Sequence, residues 1–217
     1  MIIAIDGGVA SGKSAVGQRV GQALGLRFVD SGLMYRAITR LASERGIDPH
    51  DSQAVVKLAE SVTLRVDGER IWADGSELTQ GIYDAAHADA LPVISAIPGV
   101  RQALVAQQRL LGEGGLVMAG RDIGTVVFPD ADHKFFLTAS PEEKVRRRAA
   151  QFERRGERVD EEAMRREVEA RDRVDTQRVV APLRPAPDAV IVDTDGLSID
   201  DVVDLIVQHV GGRPQAR

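Results

Sequence analysis

The chain has 217 residues, a formal net charge of −5, no Cys, and four Lys against 24 Arg. The missing Cys excludes disulfides, thiol nucleophiles and thiolate metal sites and suits a reducing cytoplasm, while the acidic balance argues against general nucleic-acid binding. No apolar run approaches the ~20 residues that a membrane helix needs, and Met1 to Ile5 lacks the pattern of an export signal, so a soluble cytoplasmic protein is expected.

Met1 to Ile5 is a short apolar run that stops at Asp6 and two glycines, the mark of a buried parallel strand running into a loop. A helix follows from Lys13 to Leu24, where Val16, Val20 and Leu24 recur four apart and Gly25 ends the pattern. Leu26 to Val29 reads as a second strand and Leu33 to Leu41 as a second helix. The rhythm then breaks. After a helix expected behind Asp48-Pro49, Val62 to Val66 and Arg70 to Ala73 alternate at period two around Asp67-Gly68, a hairpin signature, and a helix near Ile97 to Leu111 follows. Residues 51 to 100 therefore read as an insertion.

Leu116 to Ala119 and Lys134 to Thr138 resume the strands. Ser140-Pro141-Glu142-Glu143 is a strong helix start, and Ser198 to Asp201 repeats that cap after a last strand, Ala189 to Val192; the final helix ends near Val210. Five strands alternating with helices imply an α/β fold with a parallel sheet, and the length suits one domain: a core of 1–50 and 101–217 with the insertion between. Residues 142 to 178 hold eleven Arg, one Lys and eleven acids, a near-balance that a solvated helix laced with ion pairs would also show.

Gly7-Gly8-Val9-Ala10-Ser11-Gly12-Lys13-Ser14 fits the phosphate-binding pattern G-x-x-x-x-G-K-[ST] between an expected strand and an expected helix. The alternative, a Gly-rich turn with an incidental Lys, does not account for that context. Backbone N–H groups would converge on ATP phosphates, with Ala15 completing the set; Lys13 would reach the β and γ phosphates and the Ser14 hydroxyl would serve Mg²⁺. No strand ends in the Asp-Glu pair of hydrolytic ATPases and no Asn-Lys-x-Asp reads guanine, which leaves phosphotransfer. A phosphate monoester acceptor is already ionised, its second pKa near ~6, and needs no general base. His50, His87, His133 and His209 have no metal-ligand spacing.

Phosphoryl transfer instead requires positive charge on several sides. Asp30-Ser31-Gly32-Leu33-Met34-Tyr35-Arg36 follows the second strand and Gly120-Arg121-Asp122-Ile123-Gly124 the third, so both loops open on the ligand crevice of the sheet. Arg171, Asp175 and Arg178 stand at i, i+4 and i+7, either one helix face turned to a ligand or a surface ion-pair ladder.

Together with Thr125 to Ala131 and Ala181-Pro182-Leu183, these segments resemble bacterial cytidylate kinases over nearly the whole chain. The resemblance implies a phosphate-loop kinase fold with an enlarged nucleoside-monophosphate insertion, and transfer from ATP-Mg²⁺ to CMP or dCMP. It implies that Arg36, Arg121 and Arg178 hold the acceptor phosphate, with Lys13, Arg121 and Arg178 catalytic. Arg101 and Asp122 match cytosine-reading positions, and Ser31, Arg171 and Asp175 match positions near ribose and phosphate. A carboxylate can take cytosine's exocyclic amine and a guanidinium its ring acceptors. Two departures stand out: Gly8 where Pro is common, and Pro92 where a Ser that contacts the amine is usual, which shifts base reading onto Asp122, Arg101 or a nearby hydroxyl such as Ser95. Arg154, Arg155 and Arg158 around Gly156 resemble a short lid at about 152–162. A monomer acting on small molecules, without nucleic-acid or membrane partners, is expected. The alternatives are a kinase of another small acceptor, shikimate among them, and an ATP-binding switch protein.

Overall fold

The computed structural model describes residues 1–153 and 160–212, so the lid arginines Arg154, Arg155 and Arg158 lie outside the described residues. The chain opens with β1 (Ile2–Gly7), α1 (Lys13–Leu24), β2 (Arg27–Asp30) and α2 (Ser31–Glu44). The insertion contains α3 (Ser52–Ser61), β3 (Leu64–Asp67), β4 (Arg70–Ala73), β5 (Ser76–Glu77) and α4 (Ala90–Ala96). Then come α5 (Pro98–Leu110), β6 (Leu116–Gly120), a π-turn at Ile123–Val127, β7 (His133–Thr138), α6 (Pro141–Glu153), α7 (Glu161–Gln177), β8 (Val190–Asp193) and α8 (Ile199–Val210).

Five strands form one sheet in the order β2-β6-β1-β7-β8, every pair parallel. β1 up to Asp6, and β6, are apolar because both of their faces are covered. Ile3, Ile5, Val117, Phe135 and Leu137 face α1 and α8, while Ala4, Leu116 and Met118 face α2 and α5. Each fully buried aliphatic side chain contributes about 1.5–3 kcal/mol, so these two layers dominate the stability of the core. Among the described residues, no helix is long and apolar enough to cross a membrane.

The three-stranded antiparallel sheet β3-β4-β5 confirms the expected hairpin and adds a strand, because Asp74 (φ 49°) and Gly75 (φ 84°) make a second tight turn. Trp72 lies between Arg65 and Arg70, whose guanidinium carbons stand 3.7 and 4.8 Å from its ring centre. Gly68 at the hairpin tip donates to the Phe28 carbonyl at 3.3 Å and so fastens the insertion to the edge strand β2.

α3 follows Asp48-Pro49 as expected and begins at Ser52, since residues 48–51 close a turn in which Asp48 accepts from the His50 N–H, and Asp51 then caps the helix through Ala54 N–H at 3.0 Å. α4 was not foreseen; it stops at Ile97 (ψ 119°) because Pro98 bars the helical conformation from the residue before it. α7 ends at Gln177, so Arg178 is its C-cap (ψ 136°) and not part of one helical face.

Helix α1 reaches the sheet through Gly17 and Gly21. A Cβ at position 17 would lie 2.5 Å from Cε2 of the buried Phe28 ring. Gly17→Ala is therefore expected to destabilise the protein by about 1–3 kcal/mol through overpacking, as read from denaturant unfolding; an unchanged midpoint would contradict this packing.

Candidate active site

All five parallel strands point their C-terminal ends to one side, and the loops that leave β1, β2 and β6 there enclose a cleft of about 540 Å³. The floor is the phosphate-binding loop. Gly12 takes φ 89°, a left-handed turn that suits glycine, and Ala10 takes φ 54°, a conformation that costs a residue with a Cβ of order 1–2 kcal/mol. Lys13 donates to the Gly8 carbonyl at 3.0 Å. Burial pushes its ammonium down to about 7, and the neighbouring Arg121 adds to the effect.

Ser14 Oγ donates to Asp30 Oδ2 at 2.6 Å, while Oδ1 of the same carboxylate caps α2 through the Gly32 N–H. A hydroxyl and a carboxylate side by side are hard oxygen donors, so these two residues fit Mg²⁺ whose remaining ligands are phosphate oxygens and water. Asp30 went unnoticed as a site residue in the sequence, although its place ahead of Ser31-Gly32 is an N-cap signal.

Opposite the loop, one carboxylate gathers three guanidinium groups. Asp175, 3% exposed, accepts from Arg121 Nε at 2.7 Å and lies 3.7 Å from Arg178 Nη1 and 4.0 Å from Arg171 Nε. Burial opposes its ionisation, but Arg121 and its neighbours hold the carboxyl below the usual range. Arg36 lines the same cleft, its guanidinium 4.6 Å from the Tyr83 ring centre. Burial lowers the Arg36, Arg171 and Arg178 guanidiniums, Arg171 to about 10, and the mutual repulsion of the cluster contributes. Buried Nε and Nη2 of Arg178 and Nε of Arg171 have no hydrogen-bond partner among the described residues. Buried donors of one charge sign without acceptors mark a place for an anion.

The two candidate base-reading residues meet each other. Arg101 and Asp122, both 4% exposed, are paired with each other, and Arg101 also donates to the Ser95 carbonyl at 3.1 Å and lies over Tyr35. Pro92 sits in α4, and the Ser95 hydroxyl one turn later lines the cleft but donates to the Pro92 carbonyl at 3.2 Å. Ser31 is likewise occupied: its hydroxyl donates to the Ala119 carbonyl at 2.8 Å and ties the start of α2 to β6.

Two further groups were illegible in the sequence. Asp6 at the end of β1 accepts from the N–H groups of Ile123 and Gly124, each at 2.8 Å, and so fixes the π-turn that follows Arg121 and Asp122. Arg148 of α6 lines the cleft from above; nothing distinguishes it in the sequence from the other arginines of residues 142 to 178.

Removing the shared carboxylate by Asp175→Ala leaves the guanidinium cluster uncompensated, and the free protein is expected to lose about 3–5 kcal/mol. Thermal unfolding should show that deficit shrink as inorganic phosphate is raised; a deficit independent of phosphate would mean that the cluster is not an anion site.

The cytidylate kinase family model matches residues 3–211. The chain is 44% identical to the cytidylate kinase of Pelotomaculum thermopropionicum, covering 96% of this chain and 95% of that one, and 43% identical to that of Geobacillus kaustophilus, covering 97% and 96%. It is 47% identical to a bifunctional pantoate ligase/cytidylate kinase of Synechococcus sp. (strain JA-3-3Ab), where it covers 95% of this chain but spans only 40% of the length of that relative. Among solved structures, an uncharacterized protein from Eubacterium ventriosum (TM-score 0.53, 13% identity, covering 98% and 99%) and TT1252 from Thermus thermophilus (TM-score 0.50, 17% identity, covering 100% and 98%) share the fold. The chain belongs to the cytidylate kinase family.

Proposed function

We propose that the chain transfers the γ-phosphoryl group of ATP to CMP or dCMP, giving ADP and CDP or dCDP. The observation that carries this reading is the juxtaposition in one cleft of Lys13 with Arg36, Arg121, Arg171 and Arg178, cations on both sides of the path a phosphoryl group would take. The relatives named cytidylate kinase support CMP as the acceptor.

In this reading the loop amides between Gly7 and Ala15 that are not engaged within the protein, together with the Lys13 ammonium, hold the β and γ phosphates. Arg36, Arg121 and Arg178 grip the acceptor phosphate and offset its repulsion from the triphosphate, and Arg171 and Asp175 hold those forks in place. An oxygen of the ionised acceptor phosphate forms the new P–O bond as the bond to the β-phosphate oxygen breaks, so no protein base is needed. Bound at Ser14 and Asp30, Mg²⁺ would neutralise charge developing on the phosphates. Arg101 and Asp122 read the base and Ser31 braces the acceptor loop. The core of 1–50 and 101–217 carries the donor site and the insertion at about 51–100 closes the acceptor site.

Initial rates with ATP-Mg²⁺ against CMP, dCMP, UMP, AMP and shikimate test the proposal: ADP release should depend on CMP or dCMP, and activity on AMP, UMP or shikimate without CMP would refute it. Asp122→Asn should lower kcat/KM for CMP by roughly 10–100-fold while leaving ATP affinity within about twofold. Unchanged kinetics would remove Asp122 from base reading.

The free-state Lys13, lowered to about 7, is largely neutral above that pH, and phosphate binding restores its charge. ATP binding near pH 8 should therefore take up close to one proton, and near pH 6 almost none. Calorimetry in buffers of different ionisation enthalpy measures the difference; equal uptake at both pH values would contradict it.

A further inference from the structure

The helical hairpin of α6 and α7 lies outside the phosphate-binding loop, yet side chains from both helices fasten onto it. Asp172 Oδ1 accepts from the Val9 N–H at 2.9 Å, and its Oδ2 accepts from Lys144 Nζ at 2.6 Å. Arg147 Nη1 reaches the Ser11 carbonyl at 3.3 Å. Space for this contact comes from Gly8, where a Cβ would stand 2.9 and 3.0 Å from the two Asp172 oxygens and 3.2 Å from Lys144 Nζ.

Two ion pairs of this Arg-rich hairpin are the solvated kind: Arg165 with Glu142 and Arg166 with Glu162 are well exposed. The Asp172 and Lys144 side chains are 20% and 17% exposed, and their pair joins α6, α7 and loop backbone at one point. Asp172 also neighbours Arg171 in the chain and precedes Asp175 by three residues, so wherever Asp172 is pinned, Asp175 and the guanidiniums it gathers are pinned too. A bare carboxylate so near the triphosphate site would repel the donor. Lys144 cancels that charge.

We propose that Asp172, neutralised by Lys144, is a positioning residue for phosphoryl transfer: it clamps α7 to the Val9 N–H of the phosphate-binding loop and so sets the separation between the donor loop and the acceptor-side guanidiniums. The proposal rests on the phosphotransfer reading above. The requirement is geometric, because displacing reacting groups by about 1 Å can cost on the order of a hundredfold in rate without weakening either substrate's binding.

Asp172→Ala, Lys144→Met and the double variant test it. In ¹⁵N-labelled protein the Val9 amide should exchange with solvent roughly tenfold faster in Asp172→Ala than in the unaltered chain. This measurement needs no acceptor, so unaltered Val9 exchange overturns the clamp even if CMP is a substrate, whereas an unaltered chain that phosphorylates no CMP overturns the functional reading instead. In initial-rate assays Asp172→Ala should lose roughly 10–100-fold in kcat with KM for ATP and CMP within about threefold. Lys144→Met should lose part of the same kcat, and the double variant should be no worse than Asp172→Ala. A kcat within about twofold in both single variants, a loss confined to KM, or additive losses in the double variant would each overturn the proposal. Should Asp172→Ala fail to fold, Lys144→Met decides by kcat alone, since the carboxylate it leaves bare is expected to raise KM for ATP as well; a kcat within about twofold of the unaltered chain would overturn the proposal.

Discussion

Guanidinium groups packed together in a half-buried cleft repel one another, and everything on the acceptor side of this molecule is arranged around Asp175, the carboxylate that holds three of them. Two like charges 4 Å apart cost about 4 kcal/mol at the effective dielectric of a protein margin, so a cluster with one acid among several arginines is tolerable only as long as its surplus is small or about to be met. The phosphate-binding loop across the cleft has the same need, with converging N–H groups and Lys13 folded back on the Gly8 carbonyl. Two cationic half-sites facing each other call for polyanions on both sides of one gap. A donor triphosphate alone would satisfy the loop and leave the unpartnered donors of Arg171 and Arg178 as they are.

The parallel sheet makes this convergence possible. β1, β2 and β6 are neighbours in the order β2-β6-β1, so Gly7, Asp30 and Gly120 end side by side although they are far apart in sequence. Asp6 converts that proximity into rigidity. Burial raises its carboxyl to about 6 while the Ile123 and Gly124 N–H groups oppose the shift, so the acid that ends the donor strand also anchors the turn carrying Arg121 and Asp122. A π-turn is the backbone form that offers successive N–H groups there, which explains why irregular structure stands at this point of a regular fold.

Strands and caps were legible in the sequence because each rests on local chemistry. The period-two hairpin, the Ser140 and Ser198 caps and the buried runs of β1, β6 and β7 stand within a residue or two of where the pattern puts them. The Gly7–Ser14 loop was legible for the same reason. What failed needed tertiary information. α4 is short and ended by a proline that the composition does not distinguish from a loop proline. Asp6, Asp172 and Arg148 matter through partners more than 100 residues away or on other elements, and an acid or arginine in a charged segment has no periodic signature. Arg101 and Asp122 were found, but their mutual pairing was not, because 21 residues of separation say nothing about which side chain an ion meets first.

That pairing bears on the missing hydroxyl at position 92. Splitting a buried ion pair outright costs several kcal/mol, about as much as a good base contact returns, so a base that enters this cleft must be read by a pair that stays closed. An Asp122 carboxylate already accepting from Arg101 keeps lone pairs for an exocyclic amine and has nothing to give a carbonyl oxygen. For the proposed acceptor, an acceptor-only carboxylate at Asp122 would favour cytosine over uracil without a serine at position 92. Ser95 braces the pair through its own carbonyl, which holds Arg101, while its hydroxyl donates to the Pro92 carbonyl and keeps lone pairs free to accept from an amine.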